Sequence, residues 1–257
     1  GVEELYAEDD ELYRIGVART RSGSYIVLTS SSFTTSEIWY LAASRPTDSL
    51  SLLRRRREGH EYYLDHRGES FYLRTDDQGK NFRLVVMPVG VMELEAWPES
   101  TVEMIPHRVG TMLTEIDCFA SHLLALERED GLSRMRVLDP ASGEWHSIEF
   151  PEPVYVAGPH VNLEFESTAY RFSYESLVTP RSVFEYDLAT RERQLLKQQP
   201  VLGGFDPERY QSERLFATAG DGTRIPVSII YRRELERDGQ RPLVLEGYGS
   251  YGISNDV

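Results

Sequence analysis

Residues 70–86 read SFYLRTDDQGKNFRLVV, and this stretch decides the fold. Its two ends, residues 70–75 and 82–86, are rich in the aromatic and β-branched side chains that favour strands. The residues between them, 76–79, are of the types that favour turns. The stretch therefore predicts a β-hairpin.

The hairpin pattern recurs three more times, and equivalent positions are spaced 46, 52 and 47 residues apart. These positions are Tyr25, Phe71, Leu123 and Tyr170. A repeat of about 40–50 residues is typical of β-propeller blades, each of which is a twisted four-stranded sheet that packs between its neighbours. We therefore predict a mainly β chain with about four propeller blades in residues 1–204. The alternative is a β-sandwich or an unrelated series of meanders.

Each blade needs two strands besides its hairpin, and weaker strand signals lie on both sides of the hairpins. Residues 61–64 and 161–165 precede the second and fourth hairpins. Residues 144–148 and 194–196 follow the third and fourth. We expect these segments to complete four-stranded blades.

The pattern changes after residue 199. Residues 200–207 have the proline and glycine density of an interdomain link. Two strands joined by a glycine turn follow, at residues 215–218 and 225–231. Pro226 cannot donate to a strand ladder, which places the second of these strands at a sheet edge.

A second domain is predicted to start within residues 205–257. Residues 242–245 predict a short buried strand that enters a glycine-rich loop, as strands do at the ligand-binding edge of many α/β sheets. The loop, Gly247-Tyr248-Gly249-Ser250-Tyr251-Gly252, is the main candidate for chemistry. Glycines let the backbone turn sharply and approach another group closely.

Tyr248 lies between two of these glycines and can present its hydroxyl as a fixed hydrogen-bond donor. A donor aimed at developing negative charge is the chemistry of an oxyanion hole. The alternative is a loop that packs on the propeller. The sequence contains no Gly-x-Ser-x-Gly motif, so the serine nucleophile elbow of the α/β-hydrolases is missing from these residues.

Residues that could bind a metal or a cofactor form no known motif. His60 and His66 lie close together with Asp65 between them, but their spacing matches no metal site and structural hydrogen bonding is the favoured interpretation. Phosphate-loop and dinucleotide-binding motifs do not occur. We expect no metal and no cofactor. The single cysteine, Cys118, lies among apolar residues, which predicts a buried, unreactive thiol and fits a cytoplasmic protein.

The net charge of the chain indicates which classes of binding partner it favours. The chain has 28 basic and 42 acidic residues and a formal net charge of −14. This balance argues against nucleic acid, whose phosphates need clustered lysine and arginine, and it favours cationic ligands. We interpret the one basic run, Arg54-Arg55-Arg56-Arg57, as a solvated loop or as ion-pair partners. The absence of a run of about eighteen apolar residues predicts no membrane-spanning segment.

The sequence resembles the oligopeptidase B (protease II) branch of the prolyl oligopeptidase family of serine peptidases. The most specific segment is the loop at residues 247–252, which follows residues 221–231 and 241–245. Residues 60–66 and 79–82 resemble the propeller of the same family. The resemblance runs over essentially the whole chain. It implies a seven-bladed propeller that covers an α/β-hydrolase domain and restricts access to short peptides.

The resemblance also implies functional roles. It implies cleavage after Lys or Arg by a Ser-Asp-His triad, with Tyr248 as the oxyanion donor and short basic peptides as substrates. The triad and the acids that bind the basic side chain would lie beyond residue 257, and the first blades before residue 1. We therefore expect later blades in residues 1–204, the first hydrolase strands in residues 205–257, and no peptidase activity from these residues alone.

Two alternatives stay open. One is a stand-alone β-propeller that serves as a binding or scaffolding module. The other is a prolyl-specific peptidase of the same family. Unpaired edge strands after residue 204 also predict self-association of the isolated segment.

Overall fold

The computed structural model describes residues 4–91, 96–250 and 255–256. Over these residues the chain is strand and loop, with one 3₁₀ turn at Pro207–Arg209. The described strands form four sheets of four strands and one sheet of two. In the same residues, no helix has the length and apolar character needed to cross a membrane.

Each four-stranded sheet is a meander, in which every strand pairs with its neighbours in sequence. The first sheet contains β1 (Arg14–Arg19), β2 (Tyr25–Ser31), β3 (Ser36–Ala42) and β4 (Ser51–Arg54). The second contains β5 (Tyr62–Arg67), β6 (Ser70–Thr75), β7 (Arg83–Pro88) and β8 (Val102–Ile105). The third contains β9 (Thr111–Cys118), β10 (Leu123–Glu129), β11 (Leu132–Asp139) and β12 (Glu144–Ser147). The fourth contains β13 (Tyr155–Pro159), β14 (Ala169–Ser176), β15 (Ser182–Asp187) and β16 (Arg193–Gln198). The four predicted repeats are confirmed.

The second sheet buries both of its faces. In the β6–β7 register, Phe71 lies opposite Met87 and Leu73 lies opposite Val85. These four side chains form one core with Tyr62 and with side chains of the first sheet. The first-sheet members are Val27, Ile38, Tyr40 and Leu53.

The opposite face of the second sheet contributes to another core. Tyr72 and Leu84 pack there with Phe82, Ile105 and side chains of the third sheet. The third-sheet members are Leu113, Cys118, Leu123, Ala125 and Leu138. A sandwich sheet buries one face, whereas a blade is covered on both by its neighbours. This packing therefore favours propeller blades over the β-sandwich alternative.

The chain divides into two compact units. The first unit comprises Gly1–Glu127, Met135–His146 and Leu163–Thr168. The second unit comprises Arg128–Arg134, Ser147–Asn162 and Ala169–Val257. The boundary predicted after residue 204, between the propeller and the first hydrolase strands, does not coincide with the division into these units. It stays a prediction.

The strand predicted at residues 161–165 is wrong, because the first strand of the fourth sheet is β13, which ends at Pro159. The Asn162 side chain takes over the pairing that a longer strand would make. Its Nδ2 donates to the Arg171 carbonyl oxygen (2.8 Å), and its Oδ1 accepts from the Arg171 amide (2.7 Å). A side-chain amide thus satisfies the backbone groups of β14 at this point.

The hairpin predicted after residue 207 is confirmed. It consists of β17 (Tyr210–Thr218) and β18 (Arg224–Arg232), paired from Tyr210 opposite Arg232 to Thr218 opposite Arg224. The two strands form a sheet of their own. Among the described strands β18 pairs only with β17, so Pro226 lies in an edge strand, where its missing N–H is tolerated.

The buried strand predicted at residues 242–245 is wrong. The structure assigns no strand there, and Leu243, Val244 and Leu245 are 74%, 86% and 81% exposed. A buried strand needs a neighbour to pair with and a layer to cover it. Among the described residues, no strand pairs with this segment.

Candidate functional site

The loop around Tyr248 is solvent-accessible. The Tyr248 side chain is 50% exposed, and a Cβ built on Gly247 or Gly249 would meet no atom within 4 Å. The backbone on both sides of Tyr248 is therefore open where a Cβ on either glycine would project. Residues 251 and 252 of the predicted loop lie outside the described residues. The oxyanion-donor role of Tyr248 stays a prediction.

An ion pair holds the chain shortly after this loop. Arg128 Nη1 donates to Asp256 Oδ1 (2.6 Å) and Arg128 Nη2 donates to Asp256 Oδ2 (2.7 Å). The side chains are 30% and 20% exposed. This two-point geometry is the strong arrangement of guanidinium and carboxylate, and the hydrogen bonds that Arg128 donates to Asp256 raise the pKa of Arg128.

Arg128 lies at the tip of the β10–β11 hairpin, and β17 contacts the same tip. Arg214 Nη2 donates to the Asp130 carbonyl oxygen (2.7 Å), and Arg128 Nη1 also donates to the Gly131 carbonyl oxygen (3.0 Å). We call these residues and Asp256 the tip cluster. All of its members belong to the second unit.

Gly131 is required by the tip cluster for two reasons. Its φ is +76°, a left-handed conformation that glycine adopts without strain. A Cβ at this position would also collide with the Arg214 guanidinium and lie 3.1 Å from Pro226 Cγ. Nothing local in the sequence indicates that Arg214 and Pro226 pack against this turn.

A second group of charges belongs to the first unit and surrounds Cys118. Burial raises the pKa of the Cys118 thiol well above its usual value, in agreement with the predicted unreactive thiol. Asp65 on β5 accepts hydrogen bonds from the backbone amides of Cys118 and His66, each at 2.7 Å. Burial raises the pKa of Asp65 to about 6. Arg21, in the turn before β2, forms an ion pair with Asp117 on β9. These contacts join the first three sheets.

His60 and His66 each form a hydrogen bond with a side-chain hydroxyl group. His60 Nε2 is hydrogen-bonded to Thr75 Oγ1 at 2.8 Å, and His66 Nδ1 to Ser22 Oγ at 2.7 Å. Burial lowers the pKa of both rings. This is the structural hydrogen bonding that the sequence favoured. The part of the chain that the structure describes contains no group of three or more His, Cys, Asp or Glu arranged to hold a metal ion.

The arginine run contributes ion pairs. Arg56 forms ion pairs with Glu8 and Glu37, and its guanidinium lies 3.7 Å from the centroid of the Tyr13 ring. The hydrogen bonds from Arg56 lower the pKa of Glu8 to about 2. Arg54 stacks on Trp97 at 4.0 Å. For residues 54–57 the sequence left two interpretations, a solvated loop or ion pairing. Ion pairing is correct for Arg56.

Comparison with known proteins decides the family. Residues 3–199 match the family model described as the N-terminal β-propeller domain of prolyl oligopeptidase. The chain belongs to the prolyl oligopeptidase family. The predicted family and the predicted propeller fold are both confirmed.

Similarity to individual members of the prolyl oligopeptidase family continues past the propeller. The chain is 34% identical to dipeptidyl aminopeptidase BI of Pseudoxanthomonas mexicana and 31% identical to protease 2 of Moraxella lacunata. Each match covers 98% of this chain, and 34% and 35% of the relative. The structure of oligopeptidase B from Trypanosoma brucei in a closed form with covalently bound antipain matches with a TM-score of 0.87 and 28% identity, over 98% of this chain and 36% of that protein. The chain thus spans about a third of the length of these members.

Proposed function

We propose that these residues are the propeller and the first hydrolase strands of a serine peptidase that cleaves short peptides after Lys or Arg. The observation that carries this proposal is the extent of the similarity. The matches to protease 2 and oligopeptidase B cover 98% of the chain, whereas the propeller model ends at residue 199. The similarity therefore includes the segment that contains Tyr248.

In this proposal the reaction is acyl transfer. A serine activated by a histidine attacks the scissile carbonyl, and the negative charge that develops on the carbonyl oxygen needs hydrogen-bond donors. Tyr248 supplies one of them through its hydroxyl. Its half-exposed side chain and the open space beside Gly247 and Gly249 leave room for a substrate. The propeller limits entry to short peptides.

The charge of the chain supports a cationic substrate. The formal net charge is −14, and an acidic surface raises the local concentration of basic peptides. The same charge disfavours nucleic acid as a partner. The single, buried Cys118 supports action in the cytoplasm, where thiols stay reduced.

The test uses the full-length protein that carries these residues. It should hydrolyse chromogenic peptides that end in Arg or Lys faster than a matched peptide that ends in Pro. Tyr248→Phe should lower kcat by about a hundredfold, the usual cost of losing an oxyanion donor. Tyr210→Phe, which removes a phenol distant in sequence from the loop, is the control and should keep full activity.

Four results would count against the proposal. Preference for the Pro peptide would indicate the prolyl-specific alternative. Full activity of Tyr248→Phe would remove Tyr248 from the oxyanion hole. Peptidase activity from the isolated 257-residue chain would contradict the assignment of the triad to other residues. A full-length protein that hydrolyses no peptide would instead support a binding or scaffolding module.

A second candidate is removal of dipeptides from the amino terminus of peptides. It is supported by the 34% identity to dipeptidyl aminopeptidase BI. A substrate with a blocked amino terminus separates the two candidates. An internal cleavage activity accepts the blocked peptide, whereas a dipeptidyl aminopeptidase requires the free amine.

A further inference from the structure

The tip cluster connects two parts of the chain that are far apart in sequence. Arg128 and Asp256 are separated by 128 residues, and they meet through two charge-assisted hydrogen bonds of 2.6 and 2.7 Å. Such a pair requires both side chains to be held in one geometry, since the planar fork of arginine matches a carboxylate in a single plane.

The hairpin tip acts both as a hydrogen-bond donor and as a hydrogen-bond acceptor in the tip cluster. The hairpin tip donates to Asp256 through Arg128, and it accepts from β17 through the Asp130 carbonyl oxygen. Gly131 allows this close approach because it has no Cβ. β17 and Asp256, which lie before and after Tyr248 in the sequence, therefore both contact the hairpin tip.

Tyr248 depends on such attachment. A hydrogen-bond donor in an oxyanion hole acts only when it is held at a fixed position, and a displacement of about 1 Å can cost a hundredfold in rate. The glycines beside Tyr248 give its backbone unusual freedom, and the phenol is half-exposed. Contacts made by residues on either side of Tyr248 in the sequence are therefore the candidates for fixing the phenol.

We propose that Arg128 is a positioning residue, which holds the Tyr248 segment in place by binding Asp256. The inference rests on the proposed function, because it assigns Arg128 a role in the reaction that Tyr248 assists. In this role Arg128 acts on kcat through the position of Tyr248, and not by contact with the reacting atoms.

The experiment is a double-mutant cycle in the full-length protein, with a chromogenic arginyl peptide as substrate. Arg128→Ala should lower kcat about fivefold and change KM less than twofold. In the Tyr248→Phe background, Arg128→Ala should cause less than a twofold further loss, because the group that it positions has been removed. Asp256→Asn should reproduce the effect of Arg128→Ala, and the two together should equal either alone.

Arg171→Ala is the matched control. It also removes an arginine from an ion pair, with Glu185 at 2.8 Å, but its side chain is 52% exposed and lies on β14. It should leave kcat unchanged. Arg128→Lys, which keeps the charge, should retain a kcat within about threefold of the wild type.

A fivefold loss that persists in the Tyr248→Phe background would overturn the proposal, and so would a wild-type kcat in Arg128→Ala. Amide hydrogen exchange over residues 244–257 gives a readout independent of activity. Arg128→Ala should accelerate exchange there, and Arg171→Ala should not. If the wild-type protein hydrolyses no peptide, the proposed function fails, and unchanged exchange in Arg128→Ala would then separately refute the anchoring.

Discussion

The second sheet and the segment at residues 242–250 have apolar sequences of similar character but opposite surroundings. Phe71 and Leu73 on β6 are fully buried, whereas Leu243 and Val244 are largely exposed. The second sheet has a partner sheet on each face, and among the described residues no strand pairs with the later segment. An apolar run in the sequence therefore indicates only that its burial would be favourable. Whether it forms a buried strand depends on the neighbouring elements.

The largest expected effect tests this comparison directly. Phe71→Ala should lower the free energy of unfolding by about 3–5 kcal/mol, because it leaves a cavity among Tyr25, Tyr40 and His66. Leu243→Ala should change it by less than about 0.5 kcal/mol, since the side chain already meets water. Denaturant unfolding of both variants, followed by tryptophan fluorescence, measures the difference. Similar losses from the two substitutions would show that residue 243 is packed.

A second effect depends on pH and is confined to the buried region. Burial raises the pKa of Asp65 to about 6 from an ordinary value of 3.8. The folded state therefore binds more protons than the unfolded state between these values, and stability falls as pH rises through about 4 to 6. A shift of about two pKa units corresponds to a contribution on the order of 3 kcal/mol.

Asp65→Asn removes this titration. The unfolding free energy of the wild type minus that of Asp65→Asn should decrease from pH 4 to pH 7 in a series of denaturant titrations. Glu8→Gln is the control of opposite sign, because Arg56 lowers the pKa of Glu8 to about 2 and its contribution is lost as pH falls below about 4. If the difference is flat or rises with pH, burial does not raise the pKa of Asp65.

The smallest expected effect separates backbone strain from crowding at the tip cluster. Gly131 and Gly222 have similar left-handed φ values of +76° and +87°, but a Cβ on Gly222 would meet no atom within 4 Å. Each Gly→Ala substitution should cost about 1–2 kcal/mol of strain. Gly131→Ala should cost about 1 kcal/mol more, because Pro226 lies in the way. Equal losses in thermal unfolding would show that the side chains around Gly131 move aside.

Most of the fold could be predicted from the sequence because its signals are local. Each blade consists of consecutive strands, so the turn at residues 76–79 and its counterparts fix the pairing over short distances. The prediction failed at residues 161–165, where the Asn162 side chain replaces backbone pairing. It also failed at residues 242–245, where strand formation depends on partners distant in sequence.

The candidate site was only partly predictable for the same physical reason. Tyr248 could be singled out because two glycines flank it in the sequence, and its role stays a prediction. Arg128 could not, since an arginine in a hairpin and an aspartate 128 residues later give no local signal of their pairing. Long-range ion pairs of this kind depend on where the folded chain places both ends.

The alternation of side chains in β6 also limits how this chain can vary in length. Phe71 and Leu73 enter one core while Tyr72 enters another, so inserting or deleting one residue within the strand would exchange the two sets and damage both cores at once. The same change among the exposed residues 44–49, between β3 and β4, would leave both cores intact. Length differences among homologous propellers should therefore concentrate between strands, and an alignment gap within β6 would mark an alignment error.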